Sequence, residues 1–233
     1  MLRLAIGQVI ITLAAAIGCG DDEAAEPAGF GECDDPVIHE GSATYYDFAD
    51  GTGACGFDAT ADPMIGAMNA IDYDAAGACG ACAQIEGGDG EITIRVVDLC
   101  PECDEGWIDL SPGAFSELAE LEVGVIPITW WYVPCELSGP IRYRFKEGSN
   151  QWWTAVQIRN HRNGIASVEA RVGGEWVDVP RTDYNYFVAE SGLGEGPYDF
   201  RVTDVYGNVL EDTGIPHIEA GEVDGAAQFP DCS

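Results

Sequence analysis

Positive charge is what this chain has least of. Its 233 residues carry 10 Lys and Arg against 41 Asp and Glu, a formal net charge of −31, and Lys146 is the one lysine. A field of that sign repels nucleic acid, anionic lipid and acidic wall polymers, leaving a neutral partner or a salty working environment. No nucleic-acid partner is expected, and so large a self-repulsion favours a monomer. A membrane-spanning run is also missing at the amino terminus, where the apolar stretch Leu4 to Ala15 is too short to cross a bilayer. No repeat of roughly 20 to 50 residues is present, which excludes solenoids and propellers. Long helical periodicities are few, and with 30 glycines this favours a mainly β, turn-rich architecture. A hydrophobic content of 46% is ample for packed cores, and the length suits one or two domains.

The few cations are unevenly placed. Arg95 is the only one between Cys33 and Cys135, whereas eight follow, so the halves are chemically distinct. The boundary falls in Val133-Pro134-Cys135-Glu136-Leu137-Ser138-Gly139-Pro140. Beyond it, short apolar runs at 141–145, 155–158, 166–172, 176–179, 184–188 and 198–205, with turns at Gly173-Gly174 and Gly207-Asn208, read as a β-sandwich over 137–233. The first half, 36–136, is less regular. Strands are expected near 43–48, 92–98 and 128–133, with short helices after Asp62-Pro63 and Ser111-Pro112.

The start of the chain reads as an address. Arg3, the apolar run and Ala16-Ile17-Gly18-Cys19 form a lipoprotein signal peptide over 1–18, with Cys19 the lipidated first residue of an exported, surface- or outer-membrane-anchored protein. An ordinary secretory signal is the alternative, and it also exports the chain. The membrane is then met only through that lipid. Residues 19–35 are acidic and small, with almost nothing to bury, and read as a flexible tether.

Eight further cysteines, Cys33, Cys55, Cys79, Cys82, Cys100, Cys103, Cys135 and Cys232, are an even set in an exported chain and point to disulfides of undetermined pairing. The rival is zinc, since Cys79-x-x-Cys82 and Cys100-x-x-Cys103 stand 17 residues apart, a four-thiolate spacing. Export favours disulfides, so no metal and no cofactor are expected.

Val96 to Phe115 carries the chemistry. Ile92, Ile94, Val96 and Asp98 share strand parity, so Asp98 extends an apolar row. Asp109 follows in Trp107-Ile108-Asp109-Leu110, with Ser111 as helix cap. Two carboxylates along one groove are the usual apparatus for sugars.

In order and spacing, His39-Glu40-Gly41-Ser42-Ala43-Thr44-Tyr45-Tyr46, Gly53-Ala54-Cys55-Gly56, Cys79-Gly80-Ala81-Cys82 and Asp98-Leu99-Cys100-Pro101-Glu102 resemble the expansins. Lys146-Glu147-Gly148-Ser149-Asn150-Gln151-Trp152-Trp153, Arg159-Asn160-His161, Asp183-Tyr184-Asn185 and Gln228-Phe229-Pro230 extend the resemblance to the second domain of bacterial members, over residues 37 to 230. It implies a six-stranded double-psi β-barrel followed by an immunoglobulin-like β-sandwich. It further implies a protein that binds cellulose or a related cell-wall β-glucan and loosens it without hydrolysis; the residues do not choose among plant cellulose, another β-glucan and peptidoglycan. By resemblance Thr44, Asp98 and Asp109 line the groove, while Trp152, Trp153 and Tyr184 form an aromatic line against flat polysaccharide; Lys146, six residues before Trp152, is a further candidate for binding, with a surface ion pair its alternative role. From strand parity alone, Trp152 and Trp153 point opposite ways unless a bulge or twist exposes both.

Two features depart from the family pattern. Cys100 stands where many bacterial members have an aromatic residue, and Asp47 falls near the position of the catalytic base in the related inverting endoglucanases. A hydrolase with Asp109 as acid and Asp47 as base is therefore the alternative function. A carbohydrate-adhesion lipoprotein with a passive barrel is the third.

Overall fold

The computed structural model describes residues 29–47 and 49–232. Residues 1–18, Cys19 and the tether as far as residue 28 lie outside the described residues. Of the described residues, 44% are strand and 7% helix. A short hairpin, β1 (Gly31–Glu32) with β2 (Asp35–Pro36), precedes the first domain.

Six strands then close a barrel: β3 (His39–Tyr45), β4 (Ile65–Asn69), β5 (Cys82–Gly87), β6 (Gly90–Cys100), β7 (Ile108–Leu110) and β8 (Ile126–Val133). Their order around the barrel is β3-β7-β4-β6-β5-β8, with β3–β7 and β4–β6 parallel. Alternation fills the interior: Ile92, Ile94 and Val96 of β6, Ile108 and Leu110 of β7, and Ile126, Ile128, Trp130 and Tyr132 of β8 are all buried. Helix α1 (Ala70–Tyr73) is capped by Asn69, and α2 (Pro112–Ser116) by Ser111, whose Oγ accepts from Ala114 N at 2.9 Å as the sequence predicts. The helix expected straight after Asp62-Pro63 is instead β4, Ile-Gly-Ala-Met-Asn, buried at every position. A strand covered on both faces loses the alternation that would mark it.

The second domain packs two four-stranded sheets. β9 (Arg142–Phe145), β10 (Thr154–Arg159), β13 (Phe187–Ala189) and β16 (Glu222–Asp224) form one, in the order β13-β10-β9-β16. β11 (Ile165–Val172), β12 (Glu175–Asp178), β14 (Tyr198–Asp204) and β15 (Val209–Ile215) form the other, in the order β12-β11-β14-β15. Tyr143, Phe145, Val156, Ile158, Phe187, Phe200 and Phe229 meet between them. Gly173 and Gly174 both have positive φ, as a two-residue hairpin between β11 and β12 requires.

All eight cysteines of the described residues pair: Cys33–Cys232, Cys55–Cys79, Cys82–Cys135 and Cys100–Cys103. Cys79 and Cys82 take different partners, so the zinc spacing assembles no four-sulfur site. The tether reading needs correction over 29–35. Phe30 is buried, stacked on Tyr132 at 4.0 Å between ring centroids, and Cys33 is bonded to the far end of the chain.

β10 is buried along its whole length because its outer face meets the barrel. Gln157 Nε2 donates to Cys55 O at 2.9 Å, Asn185 Nδ2 donates to the same oxygen at 3.1 Å, and Arg159 Nη2 donates to Gly56 O at 3.2 Å. Tyr73 Oη donates to Asp183 O at 3.1 Å. These bonds fix the two domains against each other at the edge of the candidate site.

Candidate glycan-binding site

Strand register assembles the barrel's polar groups. Thr44 of β3 pairs with Asp109 of β7, Asp109 with Ala67 of β4, and Ala67 with Asp98 of β6. Partnered residues share a sheet face, so Thr44, Asp109 and Asp98 lie in one row with Ala67 between the acids. Two strand spacings separate the acids, roughly 10 Å between Cα atoms. The row faces away from the barrel interior, since Ile108 and Leu110 on either side of Asp109 point inward.

Asp98 therefore does not extend the apolar row of Ile92, Ile94 and Val96. Gly66 pairs with Val96 but Ala67 with Asp98, a bulge that inserts Val97 and reverses the parity. The extra residue turns a would-be core acid onto the outer face beside Asp109.

The two carboxylates are held differently. Burial pushes Asp109 above the usual carboxylate range, and the Thr44 hydroxyl, which donates to its Oδ1, partly opposes this. Asp98 Oδ1 accepts from Ala54 N at 2.7 Å and Leu99 N at 2.8 Å. Tyr46 joins them, unforeseen in the sequence. Its hydroxyl is buried without a hydrogen-bond partner, and burial, with Asp98, Asp109 and Asp50 nearby, pushes its pKa up to about 12. A neutral donor thus stands in the field of both acids with nothing to donate to. Equal strand parity with Thr44 was the signal that could have found it. Asp47 lies exposed in the turn after β3.

The aromatic groups occupy the other domain. Asn150 and Trp153 close a tight turn, with Asn150 N donating to Trp153 O at 2.8 Å, which lifts Trp152 to the tip at 72% exposure. Trp153 is half-buried, packed on Ala155, Tyr186 and Val188 of the outer sheet face. The two tryptophans are thus unequal. Tyr184 is 39% exposed, with its ring centroid 6.0 Å from that of Tyr186. Lys146 Nζ lies 5.8 Å from the Tyr184 centroid and 5.2 Å from that of Tyr186, so its charge is set over the rings.

A recess joins the two regions. It is lined by Ala54, Tyr73 and Leu99 from the barrel and by Asp183 and Tyr184 from the sandwich. Ala54 and Leu99 are the residues whose amides hold Asp98, so the polar row passes through an apolar step to the aromatic surface.

This arrangement has relatives. A double-psi β-barrel family model described as "Lytic transglycolase" matches residues 38–130. The crystal structure of an expansin from Clavibacter michiganensis superposes with a TM-score of 0.78 at 34% identity, covering 83% of this chain and 98% of that one. The chain belongs to the expansin family. A second structure of the Clavibacter expansin, an aspartate-to-asparagine variant in complex with cellohexaose, matches this expansin at 33% identity with a TM-score of 0.78. Expansin-YoaJ of Bacillus subtilis is 40% identical over 154 residues, which are 64% of this chain and 66% of the relative. Expansin-like protein 1 of Dictyostelium discoideum is 31% identical over 138 residues, 55% of this chain and 47% of the relative.

Proposed function

We propose that this expansin binds cellulose or a related cell-wall β-glucan along the surface from Thr44, Asp109 and Asp98 to Tyr184, Trp153 and Trp152, and loosens the polymer without cutting it. The observation that carries this reading is the unequal state of the two acids in the row. An inverting hydrolase needs a protonated acid and a free carboxylate roughly 6.5 to 9.5 Å away to activate water. Asp109 suits the first role. Asp98 suits the second poorly, because Oδ1 already accepts from two backbone amides, and Asp47 lies exposed in the turn after β3 rather than in the row. What remains is a groove that can grip hydroxyls through Thr44, Tyr46 and Asp109. The flat sugar faces then lie on Trp152 and Tyr184, with Lys146 beside them. The Clavibacter relative in complex with cellohexaose supports a β-glucan as ligand.

Four disulfides support an oxidising compartment, and we assign export to the signal at 1–18 with Cys19 as the lipid attachment point. The protein acts as a monomer on an insoluble polymer.

Incubation with amorphous cellulose, and separately with peptidoglycan, followed by assay of soluble sugar, tests the reading. Binding to cellulose with no release above blank is expected. Release that disappears in Asp109→Asn or Asp47→Asn would establish the hydrolytic alternative. Binding with unchanged wall mechanics in both wild type and Asp109→Asn would leave the barrel a passive spacer.

A further inference from the structure

In a chain of net charge −31, three arginines converge on one cleft of about 310 Å3 between barrel and sandwich. Arg95, on β6, is the only Lys or Arg of the barrel strands, and Arg142 and Arg159 are register partners on β9 and β10. The Phe57 ring lies among them, 4.7 Å from the Arg95 guanidinium carbon and 5.9 Å from that of Arg159.

Acids in and beside the cleft engage two of the three. Arg159 Nη1 reaches Asp58 Oδ2 at 2.5 Å and Glu222 Oε2 at 3.3 Å, while Arg142 reaches Glu222 Oε1 at 3.0 Å and Asp224 Oδ1 at 3.2 Å. Among the described residues the arginine ion pairs involve Arg142, Arg159 and Arg201, and none involves Arg95. Arg95 Nε is buried without a hydrogen-bond partner. Burial acts against the Arg95 charge and the facing Arg159 adds repulsion, while the carboxylate of Asp62, which makes no ion pair with Arg95, offsets part of both. An enclosed cation without a directly bonded counter-ion is costly, and an oxyanion between Arg95 and Arg159 would offset both effects. A guanidinium fork matches a carboxylate in bidentate fashion, and the Phe57 ring offers a flat apolar floor for the group that carries it. The cleft volume is in the lower part of the range of small-molecule sites, larger than a bare ion needs.

We propose that this cleft binds the carboxylate of an acidic sugar unit. It is distinct from the aromatic surface, because the barrel segment from Cys55 to Asp58 is bonded to β10 between them. The negative field of the whole molecule opposes dense polyanions, so the site suits an isolated acidic residue on an otherwise neutral glycan.

Titration of the full-length protein with D-glucuronate, D-glucose and inorganic phosphate, followed by amide chemical shifts, tests this. Saturable shifts around Phe57 and Asn160 are expected with glucuronate and not with glucose, weakened ~10-fold or more by Arg95→Gln. Arg95→Lys should fall between, keeping the charge and losing the fork, and Trp152→Ala should change nothing. If Arg95→Gln fails to fold, Arg142→Gln at the exposed rim gives the same readout. Equal response to glucose, tighter binding of phosphate than of glucuronate, or affinity unchanged in folded Arg95→Gln and Arg142→Gln would overturn the assignment.

Discussion

Thr44 and Asp109 face each other across the parallel pair β3–β7, and the Thr44 hydroxyl donates to Asp109 Oδ1. The bond fixes one carboxylate oxygen and leaves the other to meet a ligand. Because burial raises Asp109, the folded protein keeps a proton there that the unfolded chain has released. Between the ordinary carboxylate value of 3.8 and the raised folded value, stability must fall as pH rises. Asp109→Asn removes that term and retains an acceptor for Thr44. Its melting temperature should exceed that of wild type near neutral pH, and the difference should vanish below pH 3.8. Melting curves at both pH values check the sign.

Tyr46 carries a stability cost that the proposed role in binding would explain. Tyr46→Phe deletes a buried hydroxyl without a partner and should stabilise the fold by about 1 kcal/mol. The same change removes the free donor near the acid row, so on the proposed function affinity for soluble cello-oligosaccharides should fall. Denaturant titration and calorimetry on one preparation read both effects.

Trp152 makes the opposite kind of contribution. At 72% exposure it adds little to folding, so Trp152→Ala should stay within about 0.5 kcal/mol of wild-type stability. Cellulose affinity should drop by about 2 kcal/mol, as for an aromatic anchor. Trp153→Ala should lose both stability and binding, because Trp153 packs on Ala155, Tyr186 and Val188. Depletion isotherms on microcrystalline cellulose separate the two.

The Cys33–Cys232 disulfide closes a loop with a sequence separation of 199, joining the start of the barrel to the end of the sandwich. Chain entropy for a loop of that length amounts to about 5 kcal/mol. Replacing both cysteines by serine should lower the denaturation midpoint strongly while cellulose binding at Trp152 persists in the folded protein. An unchanged midpoint would mean that the unfolded chain is held compact by other means.

Several parts of this architecture were legible in the residues. Ser111-Pro112 announced α2 through its cap, and Gly173-Gly174 announced a hairpin through the positive φ it needs. Asp98 was misread in orientation because parity holds only in a regular strand, and the inserted Val97 is an event of pairing that one strand cannot reveal. β4 was missed for a related reason, since burial on both faces erased its period. Cysteine pairing depends on which strand ends meet, which spacing does not encode. Tyr46 stayed hidden because a hydroxyl without a partner is a property of the folded surroundings. Phe30 had looked like part of a tether, although a lone aromatic beside Cys33 was the hint that this stretch packs.

The central claim is loosening without cleavage. It is tested most directly by loading cellulosic wall strips under constant tension with wild type, Asp109→Asn and Asp47→Asn, and measuring extension and reducing ends in the same sample. The account predicts extension by wild type, loss of extension in Asp109→Asn, little change in Asp47→Asn, and no reducing ends above blank in any of them. Reducing ends that rise with extension and disappear with either substitution would contradict it.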